Sequence, residues 1–407
     1  MGKVKENYLL YVIFAIICVF SFSLLNSRGG VDIDDWLKWI DNISKYGLVK
    51  GYAANQDVYP PLTNVIFYLV LKFSVLTNIS AFVSLKLFIF IFLLLTSFTF
   101  LVWTKNWLFA IATLIGFTLN TMALTYVDIF TAPFLLISLY ALYKKNLLIF
   151  TIFYFVNIMI KWQALIILPF IAVYILNISS FNEIKNIKWK EITYKIILPV
   201  FVLTTLIVIA FGGEIYNTLK YAMTPAMLSG YALNFNWILT RVYYFLKPGV
   251  EFFEDGIMKI IWINGGKITY PGKILFIVFY FTTLLAFFKE EKNFINMLKF
   301  SVIGFLAYFM FNLEVHENHL FVTALLSLVI LIYDRKFLAE TIGIFLAFNL
   351  NMFLFYGFFG EQPFVHGYFG ADMSVILSVL FIVFFLILYF PVLKVLKKNF
   401  IKSRVTL

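Results

Sequence analysis

Three carboxylates lie close together directly after the first apolar segment of the chain. The apolar segment runs from Tyr8 to Leu25, and Asp32, Asp34 and Asp35 follow it. Carboxylates this close to a bilayer are costly unless they face water or a cavity in which they have a function. A carboxylate in such a place can accept the proton of a hydroxyl group. In a helical turn Asp32 and Asp35 share a face while Asp34 points elsewhere, so we expect Asp35 to raise the pKa of Asp32.

Two further charged residues occur at the ends of later apolar segments. Asp128 either caps the helix that starts near Pro133 or belongs to a functional site. Lys161 precedes Gln163 and another apolar run, and its ammonium group either extends to the lipid headgroups or holds a phosphate. From the residue types alone, both alternatives stay open for each of them.

The segment His316-Glu317-Asn318-His319 is another candidate site. Its two histidines are three residues apart, whereas the helical zinc motif requires a spacing of four. We therefore predict no metal site, and the sequence indicates no other cofactor. His316 can donate a hydrogen bond to an anion, and the alternative is a polar turn at the membrane interface.

The residues after the carboxylates predict an amphipathic helix that leads into a rigid turn. Trp36, Trp39, Ile40 and Ile43 recur at helical spacing, with charged residues between them. Such a helix is expected to lie in the membrane interface with its Trp rings at headgroup depth. The Tyr-Pro-Pro-Leu sequence that starts at Tyr59 predicts the turn that stops it.

This loop resembles a segment of the GT-C superfamily of membrane glycosyltransferases. The pattern D-x-x-x-[WYF]-x-x-W, followed by a Gly and by D-x-YPPL, is matched by Asp32, Trp36, Trp39 and the YPPL that starts at Tyr59. The loop is most similar to that of the dolichyl-phosphate-glucose glucosyltransferases and their bacterial relatives. The resemblance implies that Asp32 is the catalytic residue, with Asp34 and Asp35 as its neighbours. One inserted residue separates Asp57 from the YPPL, so Asp57 departs from the pattern.

Other short segments extend the same resemblance. K-x-Q-A followed by an apolar run and Pro is typical of the superfamily, and the His-Glu of His316 resembles the HE[KR] segment of the glucosyltransferases. Asn318 replaces the basic residue of that segment, a change for which His319 can compensate. Of the wGQxD segment of bacterial relatives, this chain keeps only Asp128. The substrate-binding residues implied in this way are Tyr59, Asp128, Lys161, Gln163, Arg241, His316, Glu317 and His319.

The resemblance also implies a reaction. A hexose, with glucose favoured, would move with inversion from a polyprenyl-phosphate donor to a lipid-linked glycan acceptor of the cell envelope, on the non-cytoplasmic face. Besides these two substrates, membrane lipids are the expected partners, and nucleic acid is not. The alternative is a multi-span glycan polymerase, ligase or transporter. A transporter should show paired Gly/Pro-broken helices and internal repetition, and the sequence has neither.

The amino-acid composition indicates the kind of fold in which these residues lie. Of 407 residues 62% are hydrophobic and only 13% charged, with a mean hydropathy of +0.93. Ordinary soluble domains carry about 25% charged residues, so we predict an integral membrane protein. The net charge of +11 is attributed to basic cytoplasmic loops. Because Cys18 is the one cysteine, an internal disulfide is excluded.

The basic residues predict the topology. Lys3 and Lys5 place the N-terminus in the cytoplasm, and every later basic loop is also cytoplasmic if Leu62–Ser80 lies along the outer interface without crossing. This gives about twelve spans, both termini inside, and external loops at about 26–80 and 212–272. We therefore predict an all-α, GT-C-like helix bundle in the cytoplasmic membrane, with one domain over residues 1–407. The predicted spans are Tyr8–Leu25, Ala81–Trp103, Trp107–Thr121, Phe130–Tyr143, Leu147–Ile160, Ala164–Leu176, Ile196–Phe211, Lys273–Phe288, Ile295–Asn312, Leu320–Tyr333, Phe337–Phe359 and Ser374–Leu393.

Overall fold

The computed structural model describes residues 2–30, 32–55, 58–224, 226–247, 253–254, 257–262, 266–360, 367–368 and 371–405. Asp57 and parts of the predicted external loop 212–272 lie outside the described residues. The described chain is mostly helical, which confirms the all-α class. Its α-helices are α1 Gly2–Ser23, α2 Ile33–Asn55, α3 Pro61–Thr77, α4 Ala81–Thr104, α5 Trp107–Thr118, α6 Ala132–Tyr143, α7 Leu147–Ile160, α8 Leu168–Leu176, α9 Trp189–Ile192, α10 Leu198–Phe211, α11 Glu214–Met223, α12 Phe235–Phe245, α13 Tyr270–Lys289, α14 Phe294–Phe311, α15 Phe321–Tyr333, α16 Leu338–Tyr356 and α17 Met373–Val405.

Extended backbone is limited to short pairings. The strands are β1 Ser229–Gly230, β2 Phe253–Glu254, β3 Ile257–Met258, β4 Val315–His316, β5 Gly367–Tyr368 and β6 Ala371–Asp372. Strand β1 pairs with β4 in parallel, whereas β2 pairs with β3 and β5 pairs with β6 in antiparallel fashion.

Seven helical segments among the described residues are long and apolar enough to cross a membrane. They are Tyr8–Asn26, Ala81–Thr104, Trp189–Phe211, Lys267–Lys289, Phe294–Phe311, Arg335–Tyr356 and Met373–Lys398. Apolar side chains are widely exposed on some of them, such as Phe201 and Ile209 on α10, as expected where lipid is the solvent. The chain therefore has the character of a multi-pass membrane protein.

The other predicted spans are shorter. Five apolar helical segments have 10–17 residues: Pro61–Thr77, Trp107–Ala123, Val127–Tyr143, Leu147–Ile160 and Glu317–Tyr333. The predicted span Ala164–Leu176 is divided between the 3-10 turn Trp162–Ile166 and helix α8 of nine residues. Nine helical residues extend about 14 Å, so α8 alone is shorter than the hydrocarbon core of a bilayer. The number of spans thus stays a prediction.

The contacts of the chain cluster into two compact units. Unit 1 comprises Met1–Trp162, Trp189–Thr224 and Tyr356–Gln362, which include α1 to α7 and α9 to α11. Unit 2 comprises Gln163–Lys188, Pro225–Phe355 and Pro363–Leu407, which include α8, α12 to α15, α17 and nearly all of α16. The single domain over residues 1–407 stays a prediction.

Local sequence accounts for many helix ends. The side chain of Ser80 accepts a hydrogen bond from the Val83 N–H at the start of α4, and Asn106 and Asn146 cap α5 and α7 in the same way. Proline occupies the first turn of α3, where its missing N–H costs nothing. Helix α3 ends at Asn78, which has a φ of 55°.

Helix α2 is interrupted at Gly47, whose φ of 77° and ψ of 173° are not helical. Its apolar face packs against α3 within unit 1, and Trp36, Ile40 and Ile43 are buried there. The Trp36 ring, of which 1% is exposed, therefore packs against protein and not against lipid, and the depth of α2 relative to the headgroups stays a prediction. Other parts of unit 1 therefore cover the apolar face that the sequence pattern predicted to contact lipid.

Candidate functional site

Asp32 lies in the turn that immediately precedes α2. The backbone N–H of Gly30 donates to the Leu124 carbonyl at 2.8 Å, which fixes the chain two residues before Asp32. The Asp32 carbonyl then accepts a hydrogen bond from the Trp36 N–H at 3.1 Å, so Asp32 begins the first turn of the helix. Its side chain is half-buried. The carboxylate predicted to be catalytic is thus held on an ordered turn of unit 1.

Asp128 lies in a 3-10 turn, Val127–Phe130, that follows a π-helical turn at the end of α5. The N–H and the hydroxyl of Thr131 both donate to the Asp128 carbonyl, at 3.0 and 2.7 Å. Thr131 occupies the N-cap position of α6, and the Asp128 carboxylate pairs with a lysine instead. Asp128 thus lies before the N-cap position of α6, and its side chain forms an ion pair that the sequence did not predict.

The partner of Asp128 is Lys161, the residue that follows α7. Lys161 Nζ lies 2.6 Å from Asp128 Oδ1, with 11% and 1% of the two side chains exposed. The Thr63 hydroxyl donates to the carbonyl of Ile160 and so ties the start of α3 to this end of α7. The ammonium group of Lys161 thus pairs with a buried carboxylate of the protein and does not extend away from it, as the snorkelling alternative requires.

One aromatic ring contacts the ion pair, and other rings of the same part of unit 1 pack on one another. Lys161 Nζ lies 5.2 Å from the centroid of the Tyr59 ring, within the range of a cation–π interaction. The edge of Trp39 packs on Tyr59, with ring centroids 5.5 Å apart. Trp36 packs in the same edge-on manner on the buried ring of Tyr126, at 5.8 Å. The sequence predicted Trp36, Trp39 and Tyr59 as parts of the loop, but it did not predict Tyr126.

Burial and the neighbouring charges together determine the pKa of Asp32. Burial raises the pKa of Asp32 to about 6, the nearby Lys161 ammonium lowers it, and Asp35 and Asp128 raise it further. The expected effect of Asp35 has the predicted sign, although burial is the larger cause. A carboxylate with this pKa is mostly ionised at neutral pH yet basic enough to accept a proton efficiently. The pKa shift also shows that Asp32, Asp35, Asp128 and Lys161 form one electrostatic cluster in unit 1.

Asp34 and Asp35 lie in the first turn of α2 with exposed side chains. Negative charge in the first turn is stabilised by the helix dipole. Asp35 acts on the charge of Asp32, as its spacing of three residues predicted.

The histidine segment lies in unit 2. His316 is in β4 and pairs with Gly230 of β1, where a Cβ on Gly230 would lie 2.6 Å from His316 Nδ1. The backbone N–H of His316 donates to His319 Nδ1 at 3.4 Å, and the Tyr308 hydroxyl lies 3.2 Å from the same nitrogen. These two contacts hold the His319 ring beside the backbone of His316.

The other predicted site residues also lie in unit 2. Glu317 is buried in the 3-10 turn after His316, and Arg241 is half-buried on α12. Gln163 is 8% exposed, and its Nε2 has no hydrogen-bond partner among the described residues. In the same described part, no three His, Cys, Asp or Glu side chains are grouped to hold a metal ion.

Two buried polar residues of unit 1 were missed by the sequence analysis. Lys86 lies in α4, and its Nζ donates to oxygens of the loops that precede Asp32 and Asp128. Asn120 lies in the π-helical turn, and neither its side-chain N nor O has a partner among the described residues. The signal for both was a polar side chain deep inside an apolar run, which is costly without a function.

No protein-family model matches this chain, and no curated protein matches it.

Proposed function

We propose that this protein is a membrane glycosyltransferase of the GT-C type, which transfers a hexose, with glucose favoured, from a polyprenyl phosphate to a lipid-linked glycan. The observation that supports this proposal most is the cluster in unit 1. Asp32, Asp128 and Lys161 are far apart in sequence and were singled out separately, yet their charges act on one another.

Each member of the cluster has a role in such a reaction. The ionised carboxylate of Asp32 accepts the proton of the acceptor hydroxyl as its oxygen attacks the anomeric carbon. The bond from that carbon to the phosphate oxygen breaks, and the polyprenyl phosphate leaves with the electron pair, so the configuration inverts. The departing phosphate is already an anion and requires cations or hydrogen-bond donors more than an acid.

Lys161 is suited to hold that phosphate. An ammonium group has three N–H donors, and Asp128 is the one hydrogen-bond acceptor that Lys161 Nζ contacts among the described residues. Two donors are thus left for phosphate oxygens while Asp128 and the Tyr59 ring orient the group.

The proposal includes a topology of about twelve spans, with both termini in the cytoplasm, the site outside and Leu62–Ser80 along the outer interface. Cysteine accessibility scanning in a variant in which Cys18 is replaced by serine tests this. Positions beside Lys144 should be labelled from the cytoplasmic side. Labelling there only from outside would overturn the topology and the external site.

The reaction itself is tested with purified protein in lipid vesicles and a series of isotope-labelled polyprenyl-phosphate sugars. We expect one hexose donor to be consumed and Asp32→Asn to lower turnover by about 100-fold or more, with donor binding retained. Asp41→Asn is the matched control, because Asp41 is exposed on the same helix and pairs with Lys45 at the surface. Asp34→Asn should have a milder effect, with Asp35→Asn intermediate. Normal turnover in Asp32→Asn together with an inactive Asp34→Asn would show that Asp34, and not Asp32, is the base. If no donor is consumed at all, the proposed function is rejected.

A further inference from the structure

Lys86 is fully buried within helix α4. Its Nζ donates to Ser27 Oγ at 2.8 Å, to Thr125 Oγ1 at 3.1 Å and to the carbonyl of Met122. These three oxygens use all three N–H donors of the ammonium group. In the described part of the chain Lys86 forms no salt bridge, and a buried charge without a counter-ion is costly. An apolar residue would serve packing better at this position.

The oxygens that Lys86 contacts belong to the two loops that carry the candidate site. Ser27 lies five residues before Asp32, and Thr125 lies three residues before Asp128. The loops also contact each other directly, because Ser27 Oγ lies 2.9 Å from the Ala123 carbonyl oxygen. The Gly30 N–H to Leu124 carbonyl bond adds a backbone link beside it. Lys86 therefore contacts both loops from a helix outside them.

The backbone at this junction supports a positive charge. The π-helical turn that extends α5 ends at Ala123, and the carbonyls at a helix C-terminus carry partial negative charge. The loops approach so closely that a Cβ on Gly29 would lie 2.4 Å from Thr125 Oγ1. Thr125 has a φ of 64°, a conformation that a β-branched residue keeps only where surrounding contacts hold it. Gly29 adopts its φ of 92° without strain.

We propose that Lys86 is a positioning residue that clamps the loop of Asp32 to the loop of Asp128 and so keeps Asp32 beside Asp128 and Lys161. The clamp acts through Ser27, the Met122 carbonyl and Thr125, and Lys86 itself touches no substrate. The consequence for catalysis rests on the proposed function, whereas the clamp itself does not. Its test therefore requires no sugar donor.

The test compares Lys86→Met with wild type and with Lys38→Met, which makes the same chemical change at an exposed position of α2. Hydrogen exchange is measured in full-length protein in lipid nanodiscs. In Lys86→Met the peptides that cover 24–30 and 119–125 should exchange about tenfold faster, while peptides of α14 in unit 2 keep the wild-type rate. Lys38→Met should change neither loop.

A second readout reports on Asp32 itself. Carbodiimide labelling of its carboxyl group across pH, read by mass spectrometry, should give a midpoint near 6 in wild type. In Lys86→Met the midpoint should fall toward the ordinary value of an Asp, because loosening the loops admits water and burial is the largest cause of the raised pKa. A residue that only stabilises the fold would lower the melting temperature without moving this midpoint in the folded protein.

Wild-type exchange in both loops together with an unchanged midpoint in folded Lys86→Met would overturn the clamp. If Lys86→Met does not fold, Thr125→Val, which removes one acceptor and keeps the side-chain shape, is measured in the same way with the same two outcomes. If the wild-type protein consumes no polyprenyl-phosphate sugar, the proposed function is rejected. Hydrogen exchange of the two loops and the labelling midpoint of Asp32 still test the clamp in that case.

Discussion

Lys161 and Asp128 form a buried ion pair that joins the end of α7 to the turn before α6. Their charged atoms lie 2.6 Å apart, and the carboxylate side is 1% exposed. A buried pair adds little net stability, because the gain in Coulomb energy is offset by the loss of hydration. Removing only one of the two charges is nevertheless strongly destabilising, because the other charge remains buried without a partner.

A double-mutant cycle on this pair should show strong coupling. We expect Asp128→Asn and Lys161→Gln each to lower the free energy of unfolding by about 3–5 kcal/mol, because each leaves a buried charge unpaired. The double variant should be less destabilised than the sum of the two single variants, since neither charge remains. Thermal and denaturant unfolding of the full-length protein in detergent provide the measurement.

The pair Lys299–Asp334 in unit 2 is the matched control. Its charged atoms are 2.7 Å apart, but 33% and 25% of the two side chains are exposed. The same two substitutions there should cost only about 0–1 kcal/mol each. Equal losses in the free energy of unfolding at the two pairs would show that Asp128 and Lys161 do not form a buried ion pair.

Helix positions were predictable from sequence where local signals are strong. The predicted segment Leu147–Ile160 coincides with α7, which Asn146 caps at its start. The pairing of Asp128 with Lys161 was not predictable, because no local pattern relates residues that lie 33 positions apart. Lys86 was missed because hydropathy is averaged over a whole apolar segment and one lysine barely changes that average. The burial of Trp36 was missed because an apolar helix face reads the same whether it meets lipid or protein.

The protonation of Asp32 predicts an unusual dependence of stability on pH. Its pKa in the folded protein, about 6, exceeds the ordinary value of 3.8, so between these values the folded state binds more protons than the unfolded state. The contribution of Asp32 to stability therefore falls as pH rises from about 4 to 6 and stays low above that. Asp32→Asn, which removes the ionisation, should raise the melting temperature relative to wild type at pH 7.5.

The two proteins should differ little at pH 4, where Asp32 is protonated in the folded state. Asp41→Asn, which removes an exposed carboxylate of the same helix, should show no such gain at pH 7.5. A lower melting temperature of Asp32→Asn at both pH values would contradict the raised pKa.

Alanine substitutions at two glycines of unit 1 distinguish the cost of backbone strain from the cost of steric overlap. Gly29 and Gly212 have φ values of 92° and 70°, so alanine at either position costs about 1–2 kcal/mol in backbone strain. A Cβ at Gly212 would meet nothing within 4 Å, whereas at Gly29 it would lie 2.4 Å from Thr125 Oγ1. Gly29→Ala should therefore be less stable than Gly212→Ala by a further 1–3 kcal/mol or so, measured by unfolding in detergent. Similar losses for the two variants would argue against the close approach of the loops.

The ammonium group of Lys161 is expected to bind the phosphate of the donor. If Lys161 holds the donor phosphate, Lys161→Ala should weaken binding of a polyprenyl-phosphate sugar by about tenfold or more, because a hydrogen bond to a charged group is worth about 1.5–3 kcal/mol. Affinity for the lipid-linked acceptor should stay near wild type. Binding is measured for each ligand separately by titration calorimetry, with Lys38→Ala on the exposed face of α2 as the control.

Asp128→Asn distinguishes loss of the cation from loss of the ion pair. In this variant the ammonium group of Lys161 remains and no longer shares its charge with a carboxylate, so donor binding should be retained or increased. Lys161→Ala removes the charge itself and should weaken binding whether or not Asp128 is also replaced. Unchanged donor affinity in Lys161→Ala would leave Lys161 as a purely structural partner of Asp128 and would assign the phosphate to other residues.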